Sequence, residues 1–227
     1  MNEKPILSLD ELMKIGRCEE VDMLKDNKEM REIVANIKKV MRKKNLTSLS
    51  APGIGYNKRI FCIDYSDQEI KTYINPIISY AEGLELSREI CSSIPDKEYI
   101  RLRNSIVDIY YTTPRGEIKT NRYKGLAAIV IQHEIDHLNG ITLDDIGLEI
   151  ESDFDEATED ERAEIIDMYI DSLDVMKSEL TKEIEDDDVL RAISERYKLI
   201  EAEAAGKIEI VPMEDLEKEE ETVANED

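Results

Sequence analysis

The chain has 227 residues, and its 41% hydrophobic content suffices for the core of one ordinary domain. The N-terminus leads into no apolar signal segment, and no apolar run approaches membrane-spanning length, so we expect a cytoplasmic protein with no membrane partner. Three widely spaced cysteines argue against a disulfide framework.

The net charge of −23 is distributed very unevenly along the chain. Residues 1–147 carry 23 acidic and 22 basic side chains, a balance of −1, whereas residues 148–227 carry 30 acidic and 8 basic ones, a balance of −22. This pattern predicts a nearly neutral globular domain followed by a strongly acidic extension. Because such an extension is repelled by phosphates, we expect no direct binding to nucleic acid.

The first domain is predicted to begin with a helix and continue with strands. Apolar residues at helical spacing indicate an amphipathic helix over residues 27–44, and a turn-rich loop follows over residues 48–55. Short apolar runs then predict strands at 59–64, 72–75, 106–112 and 117–120, with one or two more between residues 76 and 90.

An apolar helix over residues 122–138, ended by Asn139-Gly140, closes this domain. Strands that precede a helix without alternating βα units predict an α+β fold. We expect antiparallel or mixed sheets to pack around this central helix. The predicted domain therefore spans residues 1–147.

The acidic extension is predicted to be helical. Apolar residues recur at helical spacing over 159–184 and again over 190–206, so residues 148–212 are interpreted as an acidic helical hairpin with an apolar seam. That seam offers a homodimer contact, although solubility or packing on the core is the simpler role. Residues 213–227 are predicted to be a disordered acidic tail.

The only two histidines, His133 and His137, flank Glu134 in a His-Glu-Ile-Asp-His run. On a helix this spacing places both imidazoles on one face, where they can bind one metal ion. Glu134 can then take a proton from a water on that metal. Two solvated surface histidines are the alternative, but the apolar residues before and after the motif favour a buried helix.

A third metal ligand is needed, and a cysteine is the best candidate. Leu143 stands where the longer metzincin motif has its third His, and Glu149 and Glu151 lie too close to the helix to serve. Among the cysteines, Cys62 alternates within a strand and Cys18 has no motif around it. Cys91 lies in a non-repetitive stretch that a sheet edge could direct toward the helix.

Three segments together resemble the motifs of peptide deformylases. Residues 132–140 (QHEIDHLNG) resemble the family's QHExDHLxG, residues 89–95 (EICSSIP) its EGCLSVP, and residues 48–55 (SLSAPGIG) its GLAAPQIG. Asn75-Pro76 and Arg103 also fit the family pattern. The resemblance covers roughly residues 5–147.

The resemblance implies a role for each site residue. Cys91, His133 and His137 would bind one divalent metal ion, usually Fe(II) in this family, with Zn, Ni or Co as substitutes. Glu134 would be the general base and acid, and the backbone N–H of Ser92 would stabilise the oxyanion. Substrate-binding positions would be Gly53, Ile54, Glu89 and Ile90. The substrate would be an N-formylated peptide, typically the formyl-methionine at the N-terminus of a nascent chain.

The chain departs from the family pattern near the substrate. Gly53 replaces a Gln whose amide helps to hold the oxyanion, and loss of one such donor typically costs about 10²–10³ in rate. Ile90 and Ser92 replace Gly and Leu beside Cys91. We therefore consider three functions: a deformylase, a metallo-amidase with another substrate, and a weakly active or inactive binding module.

Overall fold

The computed structural model describes residues 4–65, 70–150, 157–158, 160–161, 163–165, 167–169 and 171. In chain order its elements are α1 (Leu9–Met13), α2 (Asn27–Lys44), β1 (Ser48–Ser50), a 3₁₀ turn (Pro52–Ile54), β2 (Ile60–Ile63), β3 (Lys71–Cys91), β4 (Ile94–Thr112), β5 (Ile118–Lys124), α3 (Gly125–Leu138), α4 (Leu143–Ile146) and β6 (Leu148–Ile150).

One antiparallel sheet carries all six strands found among the described residues. Five of them follow the order β1-β2-β3-β4-β5, and β6 pairs with the first part of β4. Helix α3 packs against β4, β1 and β5, so a single helix contacts strands from both ends of the sheet. The predicted α+β fold around a central helix is confirmed.

Strands β3 and β4 form one long hairpin, which the sequence did not predict. The expected strand at 72–75 and those between 76 and 90 are a single strand, and the expected strand at 106–112 extends back to Ile94. Irregular register near Ile74, Ile78 and Ile90 lets the long pair bend. The apolar alternation that usually indicates a buried strand is absent because several residues that face the protein interior are polar.

Helix α2 confirms the predicted helix, residue for residue, over 27–44. Asp26 precedes it, and Asn45 ends it in the left-handed conformation, which asparagine tolerates better than most residues. Its apolar stripe is buried against β1 and β2 and consists of Met30, Ile33, Ile37, Val40 and Met41. Burial of this stripe, rather than helix propensity alone, fixes the helix on the sheet.

Helix α3 begins at Gly125, three residues later than predicted, because residues 122–124 complete β5. Its inner face packs against aromatic and aliphatic side chains of the sheet, including Phe61, Tyr73 and Val107. Leu126 is 63% exposed, so the prediction of a buried helix is corrected at this position. Gly140 follows the helix with φ of 73°, and a Cβ there would meet the Gly16 backbone at 2.7 Å.

The described part of the extension contacts the domain through β6 and through Tyr169. Leu148–Ile150 form β6 and pair with β4, and the described residues between 160 and 171 are helical. The Tyr169 side chain is buried, and its hydroxyl donates to the Ile146 carbonyl at 3.1 Å and accepts from the Leu102 N–H at 3.4 Å. The hairpin beyond residue 171, its proposed dimer contact and the tail at 213–227 lie outside the described residues.

We expect Tyr169→Phe to lower the free energy of unfolding by about 1–3 kcal/mol, because a buried N–H and a buried C=O lose their shared partner. Denaturant unfolding of the full chain would measure the change. Tyr110→Phe is the matched control, since this tyrosine is 40% exposed and its substitution should cost less than about 0.5 kcal/mol. Equal effects of the two substitutions would show that residue 169 does not anchor the extension.

None of the helices in the described part of the chain combines the length and the apolar character that crossing a bilayer requires.

Candidate metal centre

The three predicted metal ligands converge at the end of the long hairpin. Cys91 is the last residue of β3 and pairs with Ile94 across a two-residue turn, so the thiol lies in the sheet rather than in an irregular stretch as predicted. Its Sγ lies 3.3 Å from His137 Nε2, which lies 3.1 Å from His133 Nε2. The three ligand atoms all fall within 4.8 Å of one another.

The charges of Cys91 and His133 reflect this close approach. Burial would raise the pKa of the Cys91 thiol, but hydrogen bonds from His133 and His137 together with their charges lower it to about 5. Burial would lower the pKa of His133, but Cys91 and Glu89 raise it to about 10. At neutral pH the metal-free centre therefore pairs a thiolate with an imidazolium.

A divalent transition metal fits this donor set. A thiolate and two imidazoles suit Fe(II), Zn, Co and Ni, whereas Mg and Ca prefer oxygen ligands. Three protein ligands are the number found in catalytic zinc-type sites, where a fourth position remains for water or substrate. The low pKa of Cys91 also supplies the thiolate form that metals bind.

Metal binding to the metal-free protein is expected to release about one proton near neutral pH, because Cys91 is already a thiolate and His133 must lose its proton. The association constant for Ni(II) should then rise about tenfold per pH unit between about pH 6 and about pH 9. Titration calorimetry in buffers of different ionisation enthalpy would count the proton. Binding without proton release would contradict this assignment of charges.

Buried polar groups behind the centre hold His133 in place. Its Nδ1 lies 2.9 Å from Glu89 Oε2, so Nε2 faces the other ligand atoms. Arg103 donates to both Glu89 oxygens, at 2.6 and 2.8 Å, and also to Asp136 on α3. Burial would raise the pKa of Glu89, but the Arg103 guanidinium holds it well below its usual range. An ionised Glu89 fixes the ring orientation of His133, as carboxylates do in many metal sites.

A cavity of about 600 Å³ opens beside the ligands. Its wall includes Cys91, His133, His137 and Glu134, together with residues of β1 and of the turn between β3 and β4. Glu134 is 3% exposed, and its Oε2 has no hydrogen-bond partner among the described residues. A buried carboxylate oxygen without a partner is costly, so this geometry suits a group that exchanges a proton with a bound molecule.

The remaining predicted site residues lie at different distances from this cavity. Ser92, Gly53 and Ile90 line it. Ile90 is 71% exposed and sits between Glu89 and Cys91 on a strand whose side chains alternate, so its side chain points away from the side of Cys91. Ile54 and Glu89 are buried outside the lining: Ile54 packs in the core next to α2, and Glu89 acts through His133.

Two contacts behind the ligands were not predicted from the sequence: the pairing of Arg103 with Asp136 and the hydrogen bond from Ser87 to Glu89, at 2.6 Å. One signal was available. Charged or hydroxyl residues occur at alternate positions 85, 87 and 89 of one strand and at 101 and 103 of the next, and this two-residue period places each set on one face of its strand.

The chain is similar in sequence to known deformylases. The family model described as polypeptide deformylase matches residues 4–148. The peptide deformylase of Dictyoglomus turgidum is 34% identical over 145 residues, covering 64% of this chain and 88% of the relative. The peptide deformylase of Karelsulcia muelleri is 38% identical over 130 residues, which are 55% of this chain and 67% of the relative.

Solved structures agree as well. The crystal structure of peptide deformylase from Thermotoga maritima superposes with a TM-score of 0.59 at 27% identity, covering 64% of this chain and 97% of that one. The structure from Synechococcus elongatus in complex with actinonin gives a TM-score of 0.58 at 30% identity, covering 64% of this chain and 82% of that one. The chain therefore belongs to the polypeptide deformylase family and is a deformylase-like, metal-dependent enzyme.

Proposed function

We propose that this enzyme removes the N-formyl group from formyl-methionyl peptides, with one divalent metal ion bound by Cys91, His133 and His137. The observation that carries the proposal is the convergence of these three ligand atoms beside Glu134 at the wall of an open cavity. Fe(II) is the proposed ion by resemblance to the family, with Zn, Ni or Co able to replace it. Because nascent chains carry the N-formyl group, we propose that the reaction takes place in the cytoplasm.

Different residues of the chain serve different steps of the hydrolysis. A bound divalent ion would supply Lewis acidity, polarising the formyl carbonyl and acidifying water. Glu134 takes the proton of the attacking water and returns it to the nitrogen of the departing amine. The C–N bond then breaks to give formate and a free N-terminus. Arg103 and Glu89 keep His133 oriented throughout, and the backbone N–H of Ser92 is the proposed donor to the oxyanion.

The cavity suits the first residues of a peptide rather than a large folded partner. Its volume of about 600 Å³ lies in the range of small-molecule sites. Apolar side chains in its lining, including Ile90, Ile94 and Ile150, provide surface for a methionine side chain and the residues after it. The part of the lining that the ligands and Glu134 form is polar and is where we place the formyl group.

The experiment that tests the proposal compares formyl-Met-Ala-Ser with acetyl-Met-Ala-Ser as substrates of the full chain, purified without oxygen and loaded with Fe(II) or Ni(II). We expect formate release that ends on chelation and returns on adding metal, with little acetate release. Hydrolysis of the acetyl peptide at a similar rate would indicate a metallo-amidase with another substrate. Metal bound stoichiometrically without release from either peptide would indicate a binding module.

A further inference from the structure

The hydroxyl of Ser50 is buried at the cavity wall without a partner. Ser50 ends β1, is 1% exposed, and lines the same cavity as Cys91 and Glu134. Its Oγ makes no hydrogen bond to any described residue. A buried hydroxyl without a partner costs free energy, and one in the wall of a cavity can bond to a molecule bound there.

Ser50 also lies next to the position where a family side chain is missing. A Cβ built on Gly53 would lie 3.8 Å from Ser50 Oγ and 3.1 Å from Leu49 Cδ1. In the motif that residues 48–55 resemble, GLAAPQIG, Ala occupies the position of Ser50 and Gln that of Gly53. The segment has thus lost an amide at one position and gained a hydroxyl beside it.

The backbone gives this hydroxyl a fixed place. Residues Ser48–Ser50 pair with Ile63–Phe61 of β2, and the 3₁₀ turn over residues 52–54 follows at once. Both β1 and this turn pack against α3, the helix that carries Glu134. The Gly53 carbonyl accepts from the Leu7 N–H at 2.9 Å, which holds the turn from the other side. Because this backbone is held on several sides, a short side chain such as serine loses little conformational freedom when it donates a hydrogen bond.

We propose that the Ser50 hydroxyl replaces the missing Gln amide and donates a hydrogen bond to the oxygen of the carbonyl under attack. The inference rests on the proposed function. In the step concerned, water oxygen bonds to the formyl carbon, the C=O electron pair moves to the carbonyl oxygen, and Glu134 takes the water proton. Ser50 keeps its own proton and stabilises the negative oxygen. When the C–N bond breaks, the pair returns to C=O and the nitrogen receives the proton from Glu134.

The test is Ser50→Ala in the Ni(II)-loaded full chain. We expect kcat for formate release from formyl-Met-Ala-Ser to fall about 10²-fold, with KM changed by less than about threefold. The affinity for a peptide hydroxamate, measured by calorimetry, should weaken by about fivefold to tenfold, because its carbonyl oxygen loses the same donor. Metal content should stay at the wild-type value and Tm should be unchanged or higher, since the hydroxyl has no partner in the protein itself.

Two further variants make the result specific. Ser79→Ala is the matched control, because its hydroxyl bonds to the Asp108 carbonyl on an exposed part of β3, and kcat should not change. Ser50→Ala with Gly53→Gln should recover part of kcat, since Leu49 Cδ1 is the end of a side chain that can move to admit the amide.

Three other results would contradict the role of Ser50 or the proposed function. A kcat of Ser50→Ala within about threefold of wild type would overturn the inference, as would a loss of kcat accompanied by lower Tm and lost metal, which indicates a structural role. Absence of formate release from the wild-type enzyme would overturn the proposed function itself, and the role of Ser50 with it.

Discussion

Substituting Arg103 with methionine is expected to lower the free energy of unfolding by about 3–5 kcal/mol, because Glu89 and Asp136 lose the buried cation that joins them and each keeps one other, His133 or Arg101. Arg103 is 1% exposed and binds Glu89 through both carboxylate oxygens, as well as Asp136. Methionine has a similar length and fills much of the space, so the loss of stability reflects the missing charge more than the missing volume. Denaturant unfolding with the metal removed would measure the change.

Arg122→Met is the matched control for this prediction. Arg122 also donates to both oxygens of one carboxylate, that of Asp108, at 2.7 and 2.8 Å, but its side chain is 53% exposed. Exposed pairs of this kind contribute about 0–1 kcal/mol because water screens the charges and solvates them when they separate. Similar losses for the two variants would show that the network at Arg103 is not a buried-charge effect.

The pH dependence separates charge from packing. In the wild type the pKa of Glu89 lies below its ordinary value of 4.5, so its ionised form adds stability that is lost as pH falls through the lowered pKa. Without Arg103, the remaining cation His133 opposes the effect of burial less strongly, so the pKa of Glu89 rises above its wild-type value. The difference in stability between wild type and Arg103→Met should therefore shrink as pH falls through the acidic range. A difference independent of pH would indicate lost packing.

The same network should affect metal binding. Because Glu89 orients His133 through Nδ1, a Glu89 that has lost Arg103 holds the imidazole less firmly. Loss of comparable supporting groups typically lowers metal affinity by about 10–100-fold. Competition with a chelator of known affinity would measure this for Arg103→Met, and Arg122→Met should keep the wild-type affinity.

Local periodicity made part of the fold predictable. The apolar stripe of α2 repeats every three to four residues and is confirmed in full, because a surface helix needs only one buried face. The strand over 59–64 and the turn before β5 were also visible from short-range signals. These elements depend on residues close together in sequence.

The long hairpin of β3 and β4 was less predictable for a physical reason. Its inner face carries Glu85, Ser87 and Glu89 opposite Arg101 and Arg103, so apolar alternation, the usual sign of a buried strand, is absent there. All of them except Glu85 are tolerated inside because they bond to one another and to α3. Only the folded arrangement shows that charges on two strands and a helix compensate each other.

Part of the candidate site was also predictable from local sequence signals, and part was not. The helical spacing of His133 and His137 is a local signal, and the need for a third ligand selected Cys91; the structure brings all three together. Ser50 gave no such signal, because a serine in a turn-rich segment is common and only the cavity shows that its hydroxyl lacks a partner. The acidic extension was recognised from charge alone, whereas its attachment through Tyr169 required the tertiary structure.

Glu134→Gln is expected to reduce kcat for formate release by about 10²–10⁴-fold while leaving metal content unchanged. Glutamine keeps the shape of the side chain but cannot take a proton from water at neutral pH. Glu134 is not one of the three groups whose ligand atoms converge, so the metal should remain bound. Formate release by single-turnover and steady-state kinetics, with elemental analysis of the same samples, would measure both quantities.

Glu85→Gln provides the control that a buried carboxylate of this kind requires. Like Glu134, Glu85 is nearly inaccessible, at 5% exposed, and has a buried oxygen without a partner among the described residues, but it does not line the cavity. Burial raises the pKa of Glu85, so its conversion to an amide should be neutral or stabilising, with kcat unchanged.

If Glu134→Gln kept more than about a tenth of the wild-type kcat, another group would have to be the base. If both variants lost activity together, the effect would lie in the fold and not in proton transfer. A loss confined to Glu134, with Tm maintained, would show that the effect lies in proton transfer.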